Sequence, residues 1–318
     1  MGLGAFLVKR IIGGLLVIIG VSLITFLLVH LAPGNPIRFA LGQHGLPAEV
    51  AAVSHQYGLD QPLPTQYLNY MLGLLHGDLG PSYIHFGQSV NDILGQGLPI
   101  TLYLGLLATF LALIVGVPLG ILAAVRHNKL LSDNFNMGFN MVLYAVPPLL
   151  VISAGRLFLS IIPAQHGWPH LQVEGWNGYG SFSSLALPVL VYASGLVGFY
   201  ARSMRSFMIE VLAQQYIRTA KAKGLAYWRI VFVQAGKNTL VPFASILGPT
   251  ISFLVVGAFI VEFVFGIPGI AKETVDSTVA NDYAVTLATT VVLAVAVVAV
   301  NILTDVLYSV VDPRVRLS

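Results

Sequence analysis

The sequence contains no cysteine, and its 318 residues include only 16 Lys+Arg and 13 Asp+Glu. Without thiols there is no disulfide framework, no thiolate chemistry and no Cys-ligated zinc or iron–sulfur centre, and the redox compartment cannot be read. Charged residues make up 9% and hydrophobic residues 56% of the chain, against about 25% and roughly 45–50% in soluble globular proteins. So little charge cannot cover a chain of this length in water, which argues against a soluble enzyme, a disordered chain and a nucleic-acid binder. The pI near 9.1 accompanies a formal charge of only +3, so the positions of the charges matter more than their sum. Reaction motifs are missing too. There is no G-x-x-x-x-G-K-[ST] phosphate cradle, H-E-x-x-H, G-x-S-x-G elbow or G-x-G-x-x-G fingerprint. His166 and His170 have the i, i+4 spacing of metal ligands, but Pro169 lies between them and an ordinary solvated loop pair accounts for them. Transport is the default for such a chain.

Long apolar runs are what the sequence has in abundance. Ile11–Leu31 contains no charged residue, and 21 residues at about 1.5 Å each cross a hydrocarbon core of roughly 30 Å. The run is too long for a signal-peptide core and lacks an A-x-A site after it, so it reads as a retained first helix. Similar stretches at about 99–125, 134–162, 184–202, 238–263 and 284–311 complete six transmembrane helices. The expected fold is all-α and membrane-integral. Pro147-Pro148 predicts a kink in the third helix, and Gly116-x-x-x-Gly120 allows close helix approach in the second.

Charge orients these helices. With the N-terminus cytoplasmic, Lys9, Arg10, Arg126, Lys129, Arg202, Arg205, Arg218, Lys221, Lys223, Arg229, Lys237, Arg314 and Arg316 share that side, leaving only Arg38, Arg156 and Lys272 elsewhere. The positive-inside rule then places both termini in the cytoplasm, with anionic lipid a better match than nucleic acid for the basic surplus. Residues 33–98 form a large outside segment with helix-like stretches at Pro47–Tyr57 and Pro64–Leu75. A second outside loop covers 163–183, a short inside link lies near 126–133, a basic inside loop spans 203–237 and a tail covers 312–318. The outside segments carry acidic residues such as Asp78, Asp92 and Glu273.

Ionisable residues inside membrane helices are candidates for a substrate path. Arg156 and Glu262 fall near the outer ends of helices 3 and 5, and Asp305 near the inner end of helix 6 with Asn301 one turn away. Helix docking and substrate contact both remain open for them. A proton relay would require a carboxylate deep in mid-span, and its absence weighs against a self-contained secondary transporter or channel.

The basic loop is the informative segment. Phe207 to Lys223 suits a helix that Gly224 would end as a C-cap, with basic residues in the last turn and a second stretch, Leu225 to Ala235, leading on. Such a projection can dock on a soluble partner or rest on anionic lipid; the residues alone leave both open.

Tyr216-Ile217-Arg218-Thr219-Ala220-Lys221-Ala222-Lys223-Gly224-Leu225, with Lys237-Asn238 and Pro242 following, resembles the EAA loop of ABC-importer permeases in its dipeptide/oligopeptide/nickel version. The resemblance runs nearly the whole chain. It includes Pro33-Gly34-Asn35-Pro36, Gly58-Leu59-Asp60-x-Pro62, Gln66-Tyr67, Gly77-Asp78-Leu79-Gly80-x-Ser82, Pro99-x-Thr101 and Gly116-x-Pro118-x-Gly120. Further on come Gly257-Ala258, Glu262, Phe265, Pro268-Gly269, Asp282-Tyr283 and Asp312-Pro313-Arg314. Single motifs are weak, but this many in order are strong. The short N-terminal tail and the long segment after helix 1 resemble the first ("B") membrane subunit of a dipeptide importer. Three positions depart from the pattern: Arg218 stands where the general motif has Glu, Gln234 where this subgroup commonly has His, and Ala284 where Pro is usual.

The resemblance implies a type I ABC-importer permease fold with a helical extracytoplasmic insertion after helix 1. It also implies a non-catalytic subunit working with a second homologous permease, two cytoplasmic ATPases that bind ATP and Mg, and an extracytoplasmic peptide-binding protein. No cofactor or metal is expected on this chain. The ten residues from Tyr216 to Leu225 are the expected coupling contact with the ATPases. Nickel and glutathione are alternative cargoes within the family.

Overall fold

The computed structural model describes residues 3–31, 34–41, 46–126, 138, 146–172 and 175–311. Its described residues form helices and turns, with one isolated β-bridge between Pro81 and Ser89. In chain order we label the helices α1 (Leu3–Leu31), α2 (Pro36–Leu41), α3 (Pro47–Gln56), α4 (Leu63–His76), α5 (Val90–Val125), α6 (Pro148–Gln165), α7 (Phe182–Leu212), α8 (Gln215–Ala222), α9 (Gly236–Phe265), α10 (Ile270–Ala280) and α11 (Tyr283–Val311). Six helices among the described residues are long and apolar enough to cross a membrane: α1, α5, α6, α7, the stretch Tyr227–Thr250 and α11.

The membrane helices follow the apolar runs, but their ends move where local chemistry dictates. α5 begins at Val90, nine residues before the expected start, with Asp92 in its first turn, where a carboxylate complements the positive end of the helix dipole. Pro147-Pro148 does not kink a helix. Pro147 is extended and Pro148 opens α6, the position where the missing N–H costs least. The expected start of that helix, 134–145, lies outside the described residues apart from Gly138. A π-helical turn, Leu157–Ile161, interrupts α6. α7 continues unbroken to Leu212, so residues 203–206, expected as loop, are helical, and 207–212, expected to open a separate helix, prolong the membrane helix. Asp312-Pro313-Arg314 lies outside the described residues.

Chain contacts divide the molecule into two compact units, one of residues 1–7, 102–267 and 300–318, the other of 8–101 and 268–299. In the first, α5 meets α7 through the two glycines of the Gly116-x-x-x-Gly120 motif. A Cβ at Gly120 would sit 2.6 Å from the Ala201 carbonyl oxygen, and one at Gly116 would sit 3.0 Å from that of Val197. The crossing is therefore backbone on backbone, as small residues permit. Around it Ala108, Ala112, Ala193, Val197, Tyr200, Met204 and Phe243 form a buried cluster. Gly120→Leu is expected to cost at least about 1–3 kcal/mol by overpacking, read as a lower unfolding midpoint and less chain in the membrane. Gly195→Leu, where a Cβ meets nothing within 4 Å, is the silent control.

In the second unit, α2–α4 and the turn 77–89 stand between α1 and α5. α4 ends at Gly77, whose left-handed φ of 75° closes the helix. Asn91 then fixes the turn, donating from Nδ2 to the Gly77 carbonyl at 2.6 Å and accepting from Leu79 N–H at 2.9 Å.

Candidate functional site

Between α7 and α9 the chain makes a short helix and a tight turn. α8 has eight residues, too few to be stable alone in water, so packing must hold it. Ile217 and Ala220 are buried, and they join Ala124, Met208, Ile230, Val231 and Ala235 in one cluster. The opposite face is open: Arg218, Thr219, Lys221, Ala222, Lys223 and Gly224 are exposed, and Tyr216 is 41% exposed. One apolar face seats the helix on the ends of α5 and α7 and on the start of the next helix, while a basic face is left for something else.

The turn after α8 is closed by two backbone bonds. Gly224 N–H donates to the Lys221 carbonyl at 3.0 Å and Leu225 N–H to that of Ala220 at 3.3 Å. Together with φ of +73° at Gly224 this is a Schellman turn, and partly buried Leu225 packs on the same cluster. The glycine C-cap read from the sequence is thus present, but the single helix expected over 207–223 is broken at Ala213–Gln214. A further tie joins residues 22 apart in the chain: Asn238 Nδ2 donates to the Tyr216 hydroxyl and also to the Gln234 carbonyl, both at 2.9 Å. Gln234, one of the three departures, lies in a π-helical segment, Ile230–Ala235, that joins Tyr227–Arg229 to α9.

The three candidate path residues lie on three different helices. Arg156 is half-buried in α6 just before the π turn, and Asp305 is half-buried on α11 with Asn301 four residues earlier. Glu262 is fully buried in the last turn of α9, and its carbonyl accepts Ile267 N–H at 2.9 Å across the left-handed Gly266.

In the other unit, motifs far apart in sequence meet. Asp282, 1% exposed, gathers four donors. Ser82 Oγ donates to Oδ2, Tyr83 N–H to Oδ1 at 3.2 Å, Ile84 N–H to Oδ2 at 3.3 Å and Val285 N–H to Oδ1 at 3.3 Å. The last bond makes Asp282 the N-cap of α11, bonding its third residue. Burial pushes the Tyr83 hydroxyl up to about 12, with the Asp282 carboxylate and Tyr57 adding to the effect. A second junction joins Pro99-x-Thr101 to Pro268-Gly269. Thr101 Oγ1 accepts Ile270 N–H at 2.9 Å, and a Cβ at Gly97 would stand 3.1 Å from that nitrogen. Beside these junctions lies a cavity of about 690 Å³, lined among others by His85, Asn91, Asp92, Gln96 and Glu273 and by no Lys or Arg. His166 and His170 are exposed, and each directs Nδ1 at a carbonyl of its own segment.

Ala284, another departure, is the second residue of α11, where a backbone N–H has no intrahelical acceptor, so a proline there would forfeit no helix hydrogen bond.

Comparison with known proteins gives matches along nearly the whole chain. Residues 116–317 match the model of the binding-protein-dependent transport system inner membrane component family, and residues 3–104 match the N-terminal model of such membrane components. The oligopeptide transport system permease protein OppB of Salmonella typhimurium is 35% identical over 98% of this chain and 99% of its own length. The probable D,D-dipeptide transport system permease protein DdpB of Escherichia coli is 38% identical, covering 96% of each. AppB, an oligopeptide permease protein of Bacillus subtilis, is 32% identical over 99% of this chain and all of its own. Among solved structures, a chain of the MetNI methionine ABC transporter in an inward-facing conformation matches with a TM-score of 0.57 and 18% identity. The match covers 69% of this chain and 96% of that one.

Proposed function

We propose that this chain, which belongs to the family of binding-protein-dependent transport system inner membrane components, is the first ("B"-type) permease subunit of an ATP-driven importer of dipeptides and short oligopeptides. It is a multi-pass inner-membrane protein, and both termini are assigned to the cytoplasm because thirteen of its sixteen basic residues then lie on that side. The relatives bearing oligopeptide and dipeptide names at 32–38% identity support the cargo class.

The observation that carries the mechanism is the mounting of α8. Its buried face is fused into one apolar cluster with the ends of two membrane helices, and its basic face is open. In our reading a cytoplasmic ATPase subunit takes that face, with Tyr216 to Leu225 as the contact. Closing the pair of ATPases moves α8 as a rigid piece, and the shared cluster passes the displacement to α7 and α9. A closely packed interior transmits such strain rather than absorbing it. Access to a cavity formed with a second, homologous permease would then alternate between the two sides of the membrane, and a peptide-binding protein would deliver cargo on the outer one. ATP and Mg are assigned to the ATPase chains, and this subunit performs no hydrolysis. Residues 99–311 form the translocating part, while α1 and the 33–98 segment accompany it. Asp92 and Glu273 give the outer cavity an acidic lining suited to a peptide's amino end.

The test is to tag the chain, extract it gently from its own membrane and identify co-purifying proteins by mass spectrometry. Two ATPases and a second six-helix permease are expected, with peptide uptake in the reconstituted assembly. Recovery of the chain alone, still transporting, would overturn the reading in favour of a self-contained carrier.

A further inference from the structure

α4 belongs to the segment that follows the first membrane helix, and by sequence that whole segment lies outside the membrane. Its contacts with α1 say otherwise. The apolar run of α1, Ile11–Leu31, begins directly after Lys9-Arg10. At about 1.5 Å per residue its 21 residues only just cross a hydrocarbon core of roughly 30 Å. With the basic pair at one interface, the other falls near His30 and Leu31. Ser22 is nine residues before Leu31, about 13 Å inside the hydrocarbon.

Two side chains of α4 reach that depth. Tyr67 hydroxyl and Ser22 Oγ share a hydrogen bond of 2.9 Å, Tyr67 hydroxyl also donates to the Ile19 carbonyl at 3.4 Å, and Met71 sulfur lies 3.6 Å from Ser22 Oγ. Higher up, Gln66 Oε1 lies 3.1 Å from His30 Nε2, at the interface end of α1. A tyrosine or methionine side chain is shorter than the depth of Ser22, so the α4 backbone from which these two spring lies below the end of α1.

The rest of α4 fits that placement. Residues 63–76 contain no Asp, Glu, Lys or Arg. On the side away from α1, Leu68, Leu72 and Leu75 are 61%, 55% and 78% exposed, at the i, i+4, i+7 spacing of a helix stripe. Three leucines facing water would be an unexplained apolar surface. Facing acyl chains they need no partner protein. A helix hydrogen-bonded within itself is also one of the few backbones that hydrocarbon tolerates.

We infer that α4 is an interfacial helix set into the leaflet at the far end of α1 from Lys9-Arg10, with Leu68, Leu72 and Leu75 in contact with lipid acyl chains. The segment after the first helix is thereby anchored in the bilayer on its own account, whatever partner it meets.

Because the sequence has no cysteine, single nitroxide labels can be placed in the full chain, within the assembled complex in lipid bilayers. Labels at Leu72→Cys and Leu75→Cys are compared by power saturation with Leu16→Cys on the exposed face of α1, a lipid standard, and with Glu49→Cys on α3, an aqueous one. Both test positions are expected to behave like Leu16→Cys, relaxed more by oxygen than by a water-soluble nickel chelate. Preference for the chelate at both positions would place the helix in water and overturn the inference. Protection from both reagents would show that a protein covers the stripe, and would overturn it equally. Two positions one turn apart guard against a label that disturbs its own site.

Discussion

Gly224→Val is expected to cut peptide uptake about tenfold or more while leaving the chain in the membrane at its normal level. Gly224 holds φ at +73°, and a Cβ built there meets nothing within 4 Å, so the penalty comes from the backbone and not from collision. An L-residue in the left-handed region costs roughly 1–2 kcal/mol, and a β-branched one fits it worst. The turn can escape that strain only by giving up the bonds from Gly224 N–H to Lys221 and from Leu225 N–H to Ala220, which lifts Leu225 from the cluster that seats α8. In the proposed assembly, a loosened α8 would still meet an ATPase but would no longer carry its displacement to α7 and α9. ATP hydrolysis by the assembled complex should therefore continue while uptake falls about tenfold or more, the factor that 1.4 kcal/mol represents. Gly224→Asn is the discriminating companion, because asparagine tolerates the left-handed region; it should keep most of the uptake. Equal loss in both variants would trace the defect to side-chain bulk at the contact and not to φ. Normal uptake with valine would remove the turn from the coupling path.

That glycine was legible because its signals are local. A helix stretch rich in Lys and Arg, then Gly, then Leu spells a C-cap whatever surrounds it. The six membrane helices were legible for the same reason: absence of charge over twenty residues has few other readings. Other features depend on partners remote in the chain. Nothing between Arg202 and Phe207 tells one continuous helix from two, and nothing near Leu212 marks a helix end, so the continuity of α7 to Leu212 and the break at Ala213–Gln214 could not be read. Pro147-Pro148 carries the same two residues whether it kinks a helix or opens one, and the structure chose the opening. Tyr216 meets Asn238 22 residues away, Thr101 meets Ile270 169 away and Ser82 meets Asp282 200 away. The motifs containing these residues could be recognised in the sequence, but their pairing could not. The depth of α4 was hidden differently: it follows from which residue of α1 Tyr67 touches, and composition alone cannot supply a register.

The Ser82–Asp282 junction should be the most sensitive point of its unit. Asp282 accepts from one hydroxyl and three backbone N–H groups, all converging on two carboxylate oxygens in a site that water does not reach. Asp282→Asn keeps the shape but turns one oxygen into an NH2 donor that must face donors. Each buried group left without an acceptor costs about 1–3 kcal/mol, and a weakened N-cap of α11 adds about 0.5–2 kcal/mol. Since the turn can partly relax, a net loss of about 2–4 kcal/mol is expected, seen as a lower unfolding midpoint in detergent and as new protease cleavage within residues 77–89. Ser82→Ala removes one donor to the carboxylate and also the oxygen that accepts His85 N–H at 2.8 Å, but it leaves the carboxylate its three backbone partners, so it should cost about 1–2 kcal/mol. The double variant Ser82→Ala/Asp282→Asn should then fall short of the sum, because residues that share one bond do not act independently. An Asp282→Asn midpoint equal to wild type would show that the turn is held elsewhere. A strictly additive double variant would show that the hydroxyl and the carboxylate stabilise the unit separately. Should both expectations hold, the acidic cavity beside this turn keeps its shape through a bond between residues 82 and 282, and Asp282 joins the wall of that cavity to the first turn of the last membrane helix.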